Sequence, residues 1–455
     1  MELTKQFAKF VVETYYEDIP PQVLDEAKLR LMDTIGAILS GRTGWVYGDA
    51  FLGAMRELDG GNAQFIGERR ENDCFPASRA AMINATFAHA IELDDGHKYA
   101  GVHAGAVAVP TALAMGKEFG ATGKEILAAI VIGYELIYRL AVAQSPELID
   151  HGFHPSATCD TIGAMAIAGK LMKIDERQMA NGLGMAVLQA SGLMEATVSG
   201  QQSKCIMVGN AAYNGISCAY LARAGLEGCL TAFEGKSGLF RAMSRLDAAE
   251  HICDGLGQQF LISDTYNKFY PTCRHSQPAI EGVLNLAVKH SIDPEQVREI
   301  RVGTHRVAYE LTGIIHEPKS PGEARFSIPY GSAVALLDHG VAVRHLRKDA
   351  YTQKRYLDLA RLVTVRMDDK VNSYYPKRRG AVVEIEMKDG TVYTEECYDL
   401  KGSPLNPVGR KELIDKFAVA ANGIFSEQKI QKITECCLAF ERESSADALL
   451  SELMW

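Results

Sequence analysis

The strongest constraint on this chain is the texture of residues 1 to about 267. Segments such as SRAAMINATFAHAIELDD and TIGAMAIAGKLMKID repeat apolar residues at three-to-four spacing, the period of an α-helix. They are apolar nearly all round, so each helix must be covered on several sides by other helices. Their many Ala and Gly residues let helix backbones approach closely. One early departure, NAQFIGERREND, reads as a short extended or hairpin excursion.

After Pro271 the period changes from four to two. VREIRVGTH, ARLVTVRMDD and AVVEIEMKDGTVYTEE alternate apolar and polar residues, and the last carries Asp389-Gly390 at a hairpin turn. Between them IEGVLNLAVKHS and SIPYGSAVALLDHG read as helices. A compact α+β domain over 268–396 is expected. From about 397 the chain is helical again and can return to the first domain. The expected class is mainly α: a large all-helical domain, 1–267 completed by 397–455, and a smaller α+β domain.

A length of 455 residues suggests two or three domains and leaves ample material for a buried site. Hydrophobic residues at 47% and charged residues at 23% are ordinary for a globular protein and exclude a disordered one. The opening MELTKQFAKFVVETYYEDIP breaks its apolar run with Lys5, Lys9 and Glu13, so an amphipathic helix is expected there, not a signal peptide or membrane span. AAIVIGYELIYRLAVA is likewise interrupted, by Glu135 and Arg139. A soluble, cytoplasmic protein with no membrane partner is the expectation. Ten cysteines without a CxxC fit reduced thiols and remove zinc ribbons and most cysteine-ligated iron-sulfur clusters. A net charge of -9 without a basic stripe argues against nucleic acid.

Five segments collect chemistry. In ELDDGHKYAGVHAGA, Glu92, Asp94 and Asp95 follow a buried helix, where dipole and burial would raise a carboxyl pKa and suit proton transfer. The same acids also fit a solvated helix end. Asp94, Asp95, His97 and His103 could instead hold a divalent metal, though in no recognised zinc spacing. In DHGFHPSATCDTIGAMAIAGK, His151 and His154 precede Ser156, Thr158 and Asp160, which read as N-cap candidates at an anion-attracting helix start, or as a merely capped helix with a loop histidine. In SGQQSKCIMVGNAAYNG, Lys204 enters an apolar helix and either meets a partner or snorkels to solvent. YNKFYPTCRHSQPAIEG gathers Lys268, Arg274 and His275 at the domain boundary, where clefts that hold carboxylates form. EARFSIPYGSAVALLDHG offers Arg325 and Tyr330; such a tyrosine is more often core than catalyst.

With FEGKSGLFRAMS and KGSPLNPVGRKELIDKF added, these segments resemble, in order and over nearly the whole chain, the MmgE/PrpD family. That family includes 2-methylcitrate dehydratase, cis-aconitate decarboxylase and iminodisuccinate epimerase. The resemblance implies an all-helical domain, rejoined by the C-terminal helices, under an α+β lid, with the active site in the cleft between them, a homodimer, and no metal or organic cofactor. It implies acidic site residues at Glu92 and Asp95, a loop histidine at His103, a second histidine at His154, lysines at Lys204 and Lys268, and a lid tyrosine at Tyr330. Arg274 and His275 lie in the matching lid-entry motif. Relatives often read Asp-Phe-(Asp/Asn)-Asp-Thr and then His-Pro where this chain has Glu92-Leu93-Asp94-Asp95-Gly96 and then His103-Ala104; Cys205 and Met207 also depart.

The expected function is a cofactor-independent lyase, a dehydratase first, acting on a small di- or tricarboxylate. Lys204, Lys268 and Arg274 would hold carboxylates, and His103, oriented by Asp95 or Glu92, would move a proton at carbon. His154 or Tyr330 would assist the departing hydroxyl. Alternatives are an epimerase of an amino- or imino-dicarboxylate, a decarboxylase of a cis-aconitate-like acid, a metal-dependent hydrolase and, in another class, a non-catalytic helical scaffold.

Overall fold

The computed structural model describes residues 2–58, 66, 75–199 and 201–455. The NAQFIGERREND excursion, apart from residue 66, lies outside the described residues. The fold is mainly α with a smaller α+β part in the C-terminal half.

The helical part forms because its segments have no polar face to expose. In the Pro155–Leu171 helix every residue but Lys170 is buried. It packs between the helices Lys204–Arg223, Gly123–Ala143, Gly105–Glu118 and Glu176–Gln189. The small residues act as expected: a Cβ at Gly215 would lie 2.5 Å from the Thr161 carbonyl and from the Ala164 Cβ. The first helix, Leu3–Glu13, buries Leu3, Phe7, Ala8, Phe10 and Val11 on one face, the amphipathic stripe read in its sequence.

Gly123–Ala143 is long and apolar enough to cross a membrane by length and composition, but 89% of its most apolar window is buried inside the protein. Glu135 and Arg139 pair with each other at 2.5 Å within it. It is a core helix. Nine of the ten cysteines are among the described residues, and all nine are free thiols.

The period-two segments form one four-stranded sheet in the order Val363–Met367, Val297–Thr304, Ala381–Met387, Val392–Cys397. The first pair is parallel and the other two are antiparallel. Asp389 and Gly390 turn the last hairpin, with Gly390 at φ 89. The helices Gln277–His290 and Ile328–Asp338 pack with this sheet around a second core running from Ala279 to Ile385. The first core takes in residues from Leu3 to Ile262 and then Leu413, Phe417, Ile433, Phe440 and Leu453. The C-terminal helices therefore bury their apolar faces against the N-terminal ones. A two-stranded contact, Gly96–His97 with Thr265–Tyr266, ties the acidic loop to the segment that enters the sheet-bearing part.

Gly123 starts its helix against the C-terminal segment, with its N–H donating to the Glu443 carbonyl at 2.8 Å. An added Cβ would fall 1.7 Å from the Phe440 carbonyl. Gly123→Ala is expected to cost about 1–3 kcal/mol by forcing the two apart, measured as a lower midpoint in denaturant. A neutral result would mean that the C-terminal segment is not seated on this helix.

Candidate active site

The helix Ala77–His89 ends before the acidic segment, and the chain then turns sharply, with Glu92 in the left-handed region at φ 59. A non-glycine residue holds that conformation only where its surroundings fix it. Here two ammonium groups do so. Lys204, at the start of the Lys204–Arg223 helix, donates to Glu92 Oε1, and Lys268 Nζ donates to Oε2 at 2.9 Å and lies 3.4 Å from Asp94 Oδ1. Lys268 is fully buried.

Burial alone would raise the Glu92 carboxyl, but Lys204 and Lys268 hold it well below its ordinary value. Asp94 is likewise held down against burial, by the His89 N–H it accepts from and by the Lys268 ammonium. Burial would lower the Lys268 ammonium, and Glu92 and Asp94 raise it instead. Only Asp95 follows the expectation of a raised carboxyl: burial, opposed by Arg30, pushes it up to about 6.

His103 sits 5.0 Å, ring centre to ring centre, from His89 and carries the key proton assignment of the site. Its Nδ1 is 2.5 Å from the Asp95 backbone carbonyl. A carbonyl only accepts, so Nδ1 carries the hydrogen and Nε2 keeps its lone pair. Burial, with Lys268 nearby, lowers the imidazole to about 3, so it is neutral at pH 7. His154 lies in the same buried group, 5.9 Å from His89 in ring centres, and is also held neutral, by burial and by Lys204.

These groups open on a cleft of about 370 Å³ lined by Glu92, His103, His154, Lys204, Lys268, Arg274 and His275, with Tyr266 and Arg379 on its rim. The two lysines already have carboxylate partners. Arg274 does not: its guanidinium donates to Gln277 Oε1 at 2.9 Å and lies 4.3 Å over the Tyr266 ring. Arg379 donates to the Tyr99 carbonyl at 3.1 Å, and its buried Nε has no partner. Neither makes an ion pair among the described residues. His275, lowered by burial and by Arg379, faces His305 at 3.4 Å.

Several expectations change. Tyr330 is not brought to the cleft: its hydroxyl donates to the His345 carbonyl at 2.7 Å inside the second core. The Asp95 carboxylate is turned away, accepting from Tyr134 Oη at 2.5 Å and Gly105 N at 3.2 Å; only its carbonyl orients His103. Glu92 is an ionised counter-ion, not a raised acid.

None of Ser156, Thr158 and Asp160 caps its helix, because His154 is the N-cap residue and Pro155 follows it. Ser156 instead accepts from His103 N at 2.8 Å. Lys204 does not snorkel, and Arg325 donates to the Ala90 carbonyl and to Gln202.

The metal set Asp94, Asp95, His97 and His103 does not converge. His97 Nδ1 accepts from the backbone of Tyr99 and Ala100, and its ring packs 4.7 Å from Tyr138. His89, Asp94 and His103 do bring donor atoms within 4.8 Å of one another, but Lys268 occupies the free side of Asp94, which suits an ion pair better than a cation.

Sequence reasoning missed His89 and Arg379. His89 Nδ1 donates to Asp94 Oδ2 at 2.6 Å, and its place three residues before Glu92 at the helix end was the available signal. Gly96, one of the departures, is explained: a Cβ there would meet the Tyr266 hydroxyl at 2.5 Å, so Tyr266 fills the space a threonine would need.

The fold is thus a helical body with a smaller α+β part, and a buried lysine–carboxylate–histidine cluster borders the cleft. The model of the MmgE/PrpD N-terminal domain matches residues 5–251 and that of the MmgE/PrpD C-terminal domain residues 270–439. The chain belongs to the MmgE/PrpD family. It is 25% identical to a cis-aconitate decarboxylase of Aspergillus terreus over 475 residues, covering 99% of this chain and 96% of that one. It is 24% identical to the Homo sapiens cis-aconitate decarboxylase, over 95% of this chain and 90% of that one.

Asp160 is fully buried, and neither carboxyl oxygen has a partner among the described residues. Burial, then Asp95 and Asp94, raise it well above the ordinary value. An aspartate whose folded pKa is raised keeps its proton where the unfolded chain has lost it. Stability therefore falls as pH rises above about 4, by up to about 1.4 kcal/mol per unit until the folded carboxyl ionises. Asp160→Asn is expected to flatten this fall and to stabilise the protein at pH 8 relative to pH 5, read as thermal midpoints across pH. An unchanged profile would show that Asp160 is ionised in the fold.

Proposed function

We propose that this protein is a cofactor-independent lyase that dehydrates a small tricarboxylate by removing a proton next to a carboxylate. The observation that carries the reading is the neutral His103, its Nδ1–H fixed on the Asp95 carbonyl and its Nε2 free, on a cleft that also holds Arg274 and Arg379 without carboxylate partners. The matching family and the named activity of the relatives support a lyase and a tricarboxylate substrate.

In this reading Arg274 and Arg379 take the substrate carboxylates by charge-assisted hydrogen bonds, and Lys204 and Lys268 offset the charge that develops as the C–H bond breaks. His103 Nε2 takes the proton. The electron pair moves into the new C=C bond as the C–O bond breaks, and the departing hydroxide takes a proton from the His103 imidazolium just formed, directly or by way of His154, and leaves as water. A homodimer in the cytoplasm belongs to the same reading and rests on the family resemblance and the free thiols.

Decarboxylation is the second reading, favoured by the relatives, which are cis-aconitate decarboxylases. It requires a proton donor for the carbanion left by carbon dioxide. A neutral His103 brings no proton of its own at Nε2 to such a carbanion, whereas dehydration returns to the hydroxyl the proton removed from carbon, which is why dehydration is placed first.

A panel of citrate-like, cis-aconitate-like and amino-dicarboxylate compounds incubated in deuterated water and followed by proton NMR separates the outcomes. A new vinyl signal from a hydroxy acid supports dehydration. Bicarbonate release supports decarboxylation, and deuterium uptake without net conversion supports epimerisation. His103→Asn is expected to lower kcat by about 10²- to 10⁴-fold with the fold intact, and Arg274→Met to act mainly on KM. No reaction with any compound, or an active His103→Asn variant, would overturn the reading in favour of a scaffold or another chemistry.

A further inference from the structure

The helix Arg410–Ala421, near the C-terminus, sends Lys416 to the back of the acidic loop. Lys416 Nζ donates to the Leu93 carbonyl at 3.0 Å and pairs with Asp33 Oδ1 at 2.7 Å. The other oxygen of Asp33, Oδ2, accepts from Asn267 Nδ2 at 3.1 Å. Leu93 stands between Glu92 and Asp94, and Asn267 immediately precedes Lys268. One carboxylate and one ammonium therefore grip both backbone segments whose side chains meet in the Glu92–Lys268–Asp94 cluster. Asp33 is buried on the Pro21–Gly44 helix, and none of Lys416, Asp33 and Asn267 lines the cleft.

Two features make this grip more than ordinary packing. Glu92 is held in a left-handed backbone conformation, which survives only where neighbours over-determine it, and Lys416 holds the carbonyl of the next residue. The Glu92 carboxylate also bridges lysines from two distant parts of the chain, so a small shift of either segment would unpair a buried charge. We propose that Lys416 and Asp33 act as a positioning strap that keeps Glu92 and Lys268 in register from behind the site. The inference rests on reading that cluster as part of a reaction site. Lys416 itself borders a separate cavity of about 600 Å³, lined also by Leu93, Phe269, Val343 and Phe417. Its ammonium can thus be deleted, and replaced by a small amine from solvent, without opening the cleft.

The test compares Lys416→Ala and Lys416→Met with the wild type, and adds Asp33→Asn as a shape-keeping second variant. Kinetics are measured on whichever carboxylate the wild type turns over, and hydrogen exchange is followed in residues 90–97 and 264–269. A displacement on the order of 1 Å predicts a loss of about 10²-fold in kcat, with KM changed less. Exchange in both segments should quicken more than in the rest of the helical body, with a fall in thermal midpoint because the buried Asp33 loses its partner. Ethylammonium should restore kcat and slow exchange in Lys416→Ala but not in Lys416→Met, whose side chain fills the space. Unchanged exchange in both segments, or no amine rescue of Lys416→Ala, would overturn the strap. If the wild type turns over nothing, the functional reading falls, and exchange with amine rescue still decides the strap.

Discussion

The structure turns on one carboxylate, that of Glu92, held between Lys204 and Lys268. Taking three charges out of water costs several kcal/mol per ion, and attraction in the interior repays this only with good geometry. Removing any one partner would leave a buried charge unmatched, at a cost of about 3–5 kcal/mol. Apolar residues of similar size could fill the same space at no such risk. The pairing therefore makes physical sense as a charged site held ready, and it draws together the loop after Ala77–His89, the helix that begins at Lys204 and the strand-entry segment at Lys268.

The same pairing sets the protonation of its neighbours. Because Glu92 and Asp94 balance Lys204 and Lys268, the histidines around them see burial as their largest influence, and His89, His103 and His154 are all lowered. A neutral imidazole whose Nδ1–H is committed to a carbonyl has one thing left to offer, the Nε2 lone pair. The balance also leaves Arg274 and Arg379 as cations at the cleft without carboxylates of their own. In the proposed function, anion binding and proton removal thus fall to different residues.

Much of this was legible in the sequence, for identifiable reasons. Period four against period two separated the helical part from the sheet, and each of the three predicted strand segments is a strand. The charged segments His103, His154, Lys204, Lys268 and Arg274 do meet, because ionisable residues in otherwise apolar helices and at boundaries have few other ways to be satisfied. What failed was direction. Asp95 and Glu92 look equivalent along the chain, yet the left-handed turn at Glu92 sends one carboxylate to the lysines and the other to Tyr134. Tyr330 follows a serine cap at the start of a helix, and nothing local reveals that its hydroxyl is taken by His345. Arg379 lies far along the chain in an ordinary basic run, and only the tertiary fold carries it to Tyr99.

The departures at 92 and 96 then act together. A carboxylate one methylene shorter at 92 would reach about 1.5 Å less far from the backbone toward Lys204 and Lys268. With glutamate, both are matched within the protein, and the cations at the cleft without carboxylates are the arginines. Glycine at 96 admits the Tyr266 hydroxyl where a threonine would otherwise stand, and the Tyr266 ring in turn supports Arg274. Under the proposed function, the longer side chain at 92 and the missing one at 96 would place the anion-binding pole of the cleft at Arg274 and not at the lysines. A site built to hydrogen-bond particular groups rejects substrates that lack them, so in the proposed function this arrangement would decide which carboxylate is held nearest His103 without altering the groups proposed to move the proton.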